Sequence, residues 1–227
     1  MKKRSSAILA LSLLASLGTL AWTRTSHAQS AEADEEDDSW KSRRPRLRDG
    51  LTLGMSLGAG AAGVSGFPND PKYLNDPNQY SSSNMLFGSS IQPMLMGALS
   101  DNFNFGFFFN LGSYKSERWE SNGGSVGFRA EAFPLVSRTR SKLSNLGLFA
   151  QFGVGFSSLH AKANIYRDAE VVQSYIGTGA FYEWNVVQFK ASHIAMGPEL
   201  RYDGIFSRDY QSHAGVLALR AVFYGGK

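Results

Sequence analysis

The stretch Phe103-Asn104-Phe105-Gly106-Phe107-Phe108-Phe109-Asn110-Leu111-Gly112 decides the fold. Phe103, Phe105, Phe107, Phe109 and Leu111 share one phase of a two-residue repeat, and Asn104, Gly106, Asn110 and Gly112 share the other. Only Phe108 departs from it. Successive side chains of an extended strand point to opposite faces, so this pattern predicts a strand with one apolar face and one small, polar face.

The same period recurs outward from this segment. Leu51, Leu53, Met55 and Leu57 alternate with Thr52, Gly54, Ser56 and Gly58. Val126, Phe128 and Ala130 alternate with Gly127, Arg129 and Glu131. Phe152, Val154 and Phe156 alternate with Gln151, Gly153 and Gly155. Leu200 and Tyr202 alternate with Glu199 and Arg201, and Leu217 and Leu219 alternate with Ala218 and Arg220. Segments 87–99 and 173–184 fit less cleanly and bring the count to eight candidate strands. Most are longer than the five or six residues common in soluble sheets and reach the roughly 9–11 that cross a bilayer at a tilt.

A soluble barrel hides its apolar face. Here the polar phase is mostly glycine, serine and asparagine, which suit a narrow interior, and the apolar phase is too continuous to face water. The expectation is an all-β, eight-stranded, antiparallel, up-and-down transmembrane barrel over residues 51–227. Phe103, Phe105, Phe107, Phe109, Phe152, Leu217 and Leu219 would face lipid. Arg129, Glu131, Glu183, Glu199, Arg201 and Arg220 would form a charge network in the lumen, with Gln92, Asn104 and Gln151 beside them. Closure follows from the solvent, because hydrocarbon offers no partner for an unpaired backbone edge.

Tight turns are expected at residues 100–102 and 185–188, and a longer one at 137–145. Larger links are expected at 61–85, 115–124, 161–172 and 204–212. Trp184, Tyr182, Tyr202, Phe223 and Tyr224 fall near strand ends, where aromatic girdles sit. Pro93, Pro134 and Pro198 oppose the scheme, since proline removes a ladder donor and a closed wall has no edge to hide it.

The first 28 residues read as a secretory signal: basic Lys2, Lys3 and Arg4, an apolar run from Ala7 to Ala21, then Ser26-His27-Ala28. Residues 29–50 read as a solvated periplasmic leader, acidic then basic. The formal charge of +4 is concentrated at the start: without the four basic residues of the first 28, 19 basic side chains face 19 acidic ones. That balance argues against nucleic-acid binding. The 227-residue chain has no cysteine, so neither disulfides nor thiolate chemistry are available.

Gly179-Ala180-Phe181-Tyr182 before a turn and Gly197-Pro198-Glu199-Leu200-Arg201-Tyr202-Asp203 after it complete the pattern. With them, the segment from Leu51 to Tyr224 resembles the small outer-membrane β-barrel family, the eight-stranded OmpA/OmpX/OmpW-like group. The resemblance implies a Gram-negative outer-membrane location after Sec export and contact with outer-membrane lipids. It also implies insertion by the outer-membrane assembly machinery, which reads an aromatic ending. Phe223 and Tyr224 are followed by three more residues, a departure from that ending. A monomer is expected.

The sequence contains no cofactor fingerprint and no metal-ligand spacing. The default function is non-enzymatic, structural or surface-interacting, with a largely plugged lumen. Two alternatives remain open. One is a narrow porin-like pore for small solutes. The other is a lipid-modifying enzyme built on a His/Ser pair among His160, His193, His213, Ser157, Ser158, Ser192 and Ser212. Ser192-His193 and Ser212-His213 are chain neighbours and so point to opposite faces. Residues 61–85, rich in Asn, Asp, Pro, Ser and Tyr, have the composition of a turn-rich exposed loop, the kind of segment that binds on some scaffolds and merely covers the surface on others.

Overall fold

The computed structural model describes residues 48–68, 72, 76–136, 142–162, 168–189, 192–207 and 209–225. The signal reading over 1–28 and most of the leader lie outside them. The described residues form ten strands: β1 (Gly50–Gly66), β2 (Ser81–Ser82), β3 (Leu86–Ser100), β4 (Phe103–Lys115), β5 (Trp119–Ala132), β6 (Leu146–Ala161), β7 (Ala169–Tyr182), β8 (Trp184–Gln188), β9 (His193–Phe206) and β10 (Tyr210–Gly225). β2 and β8 are short additions to β1 and β9; the other eight are staves of one wall.

Around the wall, β1, β3, β4, β5, β6, β7, β9 and β10 pair antiparallel in sequence order, and β10 returns to β1. The ring is closed, and the even number of staves brings Leu51 opposite Gly225, so both ends of the barrel domain share one rim. The register can be followed once round. Val64 pairs with Ser212, Ser212 with Ile205, Ile205 with Tyr175, Tyr175 with Gly153, Gly153 with Gly127, Gly127 with Phe108, Phe108 with Met94, and Met94 with Gly54. One circuit therefore ends ten residues down β1, at Gly54 rather than Val64. With strands ~4.8 Å apart and ~3.3 Å of rise per residue, that stagger sets a tilt of about 40° and a radius of about 8 Å. The staves carry 13 to 17 residues. At that tilt even the shortest rises roughly 33 Å, enough to cross a hydrocarbon layer of about 30 Å.

The alternation sorts the side chains as the sequence predicts. Phe103, Phe105, Phe107, Phe109, Phe152, Leu217 and Leu219 are all exposed on the outer wall, from 37% for Phe103 to 64% for Leu217. Phe128 joins this band: its ring lies 5.7 Å from Phe105, 4.8 Å from Phe107 and 5.6 Å from Phe152. The polar phase is buried inside.

The three prolines sit where the ladder is interrupted. On the β4 side of Pro93, Ile91 pairs with Leu111 and the next pair along the ladder is Met94 with Phe108. Pro134 follows β5 in a turn. Pro198 lies where β9 changes partner, from β7, which ends at Phe181↔Glu199, to β8, which begins at Trp184↔Met196. No lost N–H bond is forced at these sites.

The loops differ from expectation. Residues 115–124 and 204–212 were expected as larger links, yet the strands run into them, β4 to Lys115 with β5 from Trp119, and β9 to Phe206 with β10 from Tyr210. Ser121, Gly123 and Gly124 look like loop chemistry but are small residues of the wall. Residues 185–188 are not a tight turn; they form β8, laid along β9 with a bulge at Asn185/Val187. Tyr224 does not belong to an outer girdle: it is fully buried and faces inward.

Phe108 and Tyr175 meet inside the barrel across a pair of glycines. Their strands flank β5 and β6, where Gly127 pairs with Gly153, and the two rings meet at 5.4 Å. A Cβ on Gly127 would lie 2.1 Å from the Phe152 carbonyl oxygen, and one on Gly153 2.1 Å from that of Val126. Gly127→Val is expected to destabilise closure by about 1–3 kcal/mol or more, read as loss of the faster-migrating unboiled band in gel electrophoresis. Gly215→Ala, whose Cβ would meet nothing within 4 Å, is expected to migrate as the parent does.

Candidate functional site

The barrel interior holds the concentration of chemistry. Four buried guanidiniums, on Arg48, Arg129, Arg201 and Arg220, face four buried carboxylates, on Glu131, Glu183, Glu199 and Asp203. Strand parity supplies six of the eight: β5 carries Arg129 and Glu131, β9 carries Glu199, Arg201 and Asp203, and β10 carries Arg220, while Arg48 and Glu183 lie just outside the strands.

Two linked groups result. In the first, Arg129 Nε donates to Glu131 Oε1 and its Nη2 to Glu199 Oε2, both at 2.7 Å. Arg220 grips both oxygens of Glu131, at 2.6 and 2.9 Å, and its Nε donates to Glu183 Oε1 at 3.1 Å. Tyr224 donates its hydroxyl to Glu183 at 3.0 Å, Asn104 donates to Glu131 at 3.1 Å, and Ser56 donates to Glu199 at 3.1 Å. In the second group, Arg201 donates to Asp203 at 2.8 Å, to Ser90 at 2.6 Å, to Asn110 at 3.2 Å and to Gln92. Gln92 in turn donates to Gln151, and Tyr175 donates to Asp203 at 2.5 Å. Arg201 Nη1 lies 3.5 Å from Glu199 Oε1 and joins the groups. Each ion is expensive to bury, and the network offsets that cost because Arg129, Arg201 and Arg220 each donate hydrogen bonds to buried carboxylates.

Aromatic rings cover the guanidinium faces. Arg129 stands 3.6 Å over Phe149, Arg220 4.2 Å over Phe181, and Arg48 3.5 Å over Phe133. Phe133, Phe149 and Phe181 form one buried cluster toward the rim that carries the termini. Toward the opposite rim the interior turns apolar, with Val64, Leu86, Trp119, Leu159, Ala169 and Tyr210 in contact. Between lies a cavity of about 50 Å³ lined by Asn110, Ser121, Ser125, Ser157, Tyr175 and Asp203 among others. That volume holds a few water molecules.

All six residues expected in the charge network are brought together, as are Gln92, Asn104 and Gln151. Sequence reasoning missed four kinds of participant. Asp203 and Tyr224 share the inward phase of Arg201 and Arg220, so the parity that found the arginines also reaches them. Phe108 departs from the alternation by residue type, and Phe149 and Phe181 fall in the inward phase with no role legible from it. Tyr175 was placed in the inward phase without a partner. Arg48 had no strand phase to be read from, and it was assigned to the solvated leader, yet it is buried.

The histidines are not assembled with the serines. His160 Nδ1 lies 2.8 Å from Asp168 Oδ2 at the rim opposite the termini. His213 Nδ1 meets the Tyr202 hydroxyl at 2.5 Å, and His193 stacks on Tyr224 at 4.7 Å. Ser157 shares a hydrogen bond with Tyr210, and Ser158 donates to the Asn122 carbonyl. Among the described residues no hydrogen bond joins a serine hydroxyl to a histidine, and no group of three or more metal-ligating side chains occurs. Near His160, at the same rim, Lys115 donates to Glu120 at 3.1 Å.

A closed antiparallel wall with a continuous apolar exterior and a polar interior defines a transmembrane β-barrel of the bacterial outer-membrane class. No family model and no curated protein matches the chain. Among solved structures it is similar to Neisserial surface protein A, at 14% identity over 78% of this chain and 100% of that one, TM-score 0.46. It is also similar to Ail, the attachment invasion locus protein of Yersinia pestis, at 11% identity over 77% and 99%, TM-score 0.44. The outer membrane protease OmpT from Escherichia coli aligns at 7% identity over 81% and 99%, TM-score 0.36. At such identities the likeness concerns the barrel and not what it does.

Glu131 is the centre of the first group, bonded to Arg129, Arg220 and Asn104. Glu131→Ala leaves two buried guanidiniums short of a counter-charge and is expected to cost about 3–5 kcal/mol. Ser56→Ala removes one neutral donor and is expected to cost about 1 kcal/mol. Urea unfolding in lipid vesicles, followed by tryptophan fluorescence, measures both.

Proposed function

We propose that this protein is a non-enzymatic, integral outer-membrane barrel with a closed lumen, serving membrane structure or contact at the cell surface. The observation that carries the reading is the interior itself: a charge-balanced, hydrogen-bonded layer with an apolar cluster toward each rim. A conducting path would have to separate those ion pairs, and eight staves leave no width beside them.

In this reading residues 1–28 direct export and are removed, residues 29–50 form the periplasmic leader, and the barrel begins at residue 51. The exposed Phe103, Phe105, Phe107, Phe109, Phe152, Leu217 and Leu219 contact acyl chains. The six charged lumen residues hold the interior in one arrangement. The assembly machinery inserts the barrel, and the closed ring of staves supports a monomer, because a ring presents no unpaired stave to a second copy. A catalytic reading needs a nucleophile within reach of a base, and the histidines engage other partners.

Purified protein reconstituted in a planar bilayer is expected to give no discrete current steps. Steady unitary steps from the parent protein would replace the closed lumen with the narrow pore. Fractionation of the producing cells is expected to place the chain with the outer membrane.

A further inference from the structure

Among the described residues Arg48 is the one buried lumen cation that no stave carries; it precedes β1, which starts at Gly50. It enters at the rim where the chain begins and ends, and it touches all three turns of that rim. Its backbone N–H donates to Asp101 Oδ1 at 3.1 Å and its Nη1 to the Asp101 carbonyl at 3.2 Å, in the β3–β4 turn. Its Nη2 donates to Asn145 Oδ1 at 3.3 Å, and its guanidinium lies 3.5 Å over Phe133, both in the β5–β6 link. Its Nε stands 3.7 Å from Glu183 Oε2, in the β7–β9 link.

The charge count makes the same point. The staves alone supply three guanidiniums, Arg129, Arg201 and Arg220, to four buried carboxylates. Arg48 provides the fourth. It also completes a set of three arginines, each laid on its own phenylalanine ring.

We propose that Arg48 is a latch that seals the terminus-bearing mouth of the barrel by holding its three turns together and neutralising the lumen. This rests on the closed-lumen reading and goes beyond it by naming what closes one end. The latch belongs to the segment leading into the barrel, not to its wall. Its release therefore requires only that Arg48 and Asp49 lift away from the rim, with no stave pairing broken. Once it is released, the carboxylates outnumber the guanidiniums, and the open mouth favours small cations.

The chain lacks cysteine, so a single introduced thiol reports access to the lumen. Thr52 suits this: it is fully buried in β1, pairs with Tyr224 and Met96, and its hydroxyl has no hydrogen-bond partner. Thr52→Cys in the full-length folded protein is challenged with a small cationic thiosulfonate. With Arg48 present, labelling is expected to be slow. With Arg48→Ala it is expected to rise about tenfold or more, the factor that a lost charge-assisted contact corresponds to. Arg48→Lys keeps the charge without the fork and is expected to fall between. The unboiled gel band verifies that each variant is closed. If Arg48→Ala does not fold, the double variant Asp101→Ala/Asn145→Ala, which removes the side-chain acceptors of the Arg48 backbone N–H and Nη2 and leaves the Asp101 carbonyl, takes its place, with a rise in labelling expected in the same direction. Equal labelling rates with and without the latch in folded protein, or fast labelling with Arg48 intact, overturn the proposal. Both outcomes are independent of the conductance of the parent protein, which tests the closed lumen itself.

Discussion

Backbone pairing in a medium without water governs everything else in this molecule. An N–H or C=O left open in hydrocarbon costs several kcal/mol, so the sheet must close on itself. Closure at eight staves and a stagger of ten residues fixes a radius that side chains nearly fill. From that radius follow the small residues of the inner phase, the Gly127–Gly153 contact, and the absence of room for unpaired charge. The arginines and glutamates are a consequence of the same geometry: once polar groups occupy so narrow a space, they must satisfy one another.

The fold was legible because its signal is periodic. Phe103 to Leu111 and the segments around it repeat every two residues, and the repeat states which side chains share a face. The same arithmetic brought Arg129, Glu131, Glu199, Arg201 and Arg220 to one interior before any coordinates. It could not say which arginine meets which carboxylate, because that depends on stagger, which emerges only when the ring is closed.

The failures have physical reasons too. Parity places Phe149 and Phe181 in the inward phase but says nothing of their role; they cover guanidinium faces, an arrangement that rewards an aromatic ring inside. Glycine and serine misled at residues 121–124, because the chemistry of turns and the chemistry of a cramped wall use the same small residues. Arg48 escaped because it lies outside any repeat. Pro93 and Pro198 looked like objections until the pairing was known; each stands where a neighbouring strand makes no claim on its nitrogen.

The change of partner along β9 has a mechanical consequence. β7 gives way to β8 after Tyr182, so this side of the cylinder is joined by two successive zippers rather than one. The junction interrupts cooperativity: strain applied at that corner loosens the five residues of β8 before it reaches the longer ladder above. Fraying in this barrel accordingly begins at one seam, and the seam lies beside Glu183, where the lumen charges meet the rim.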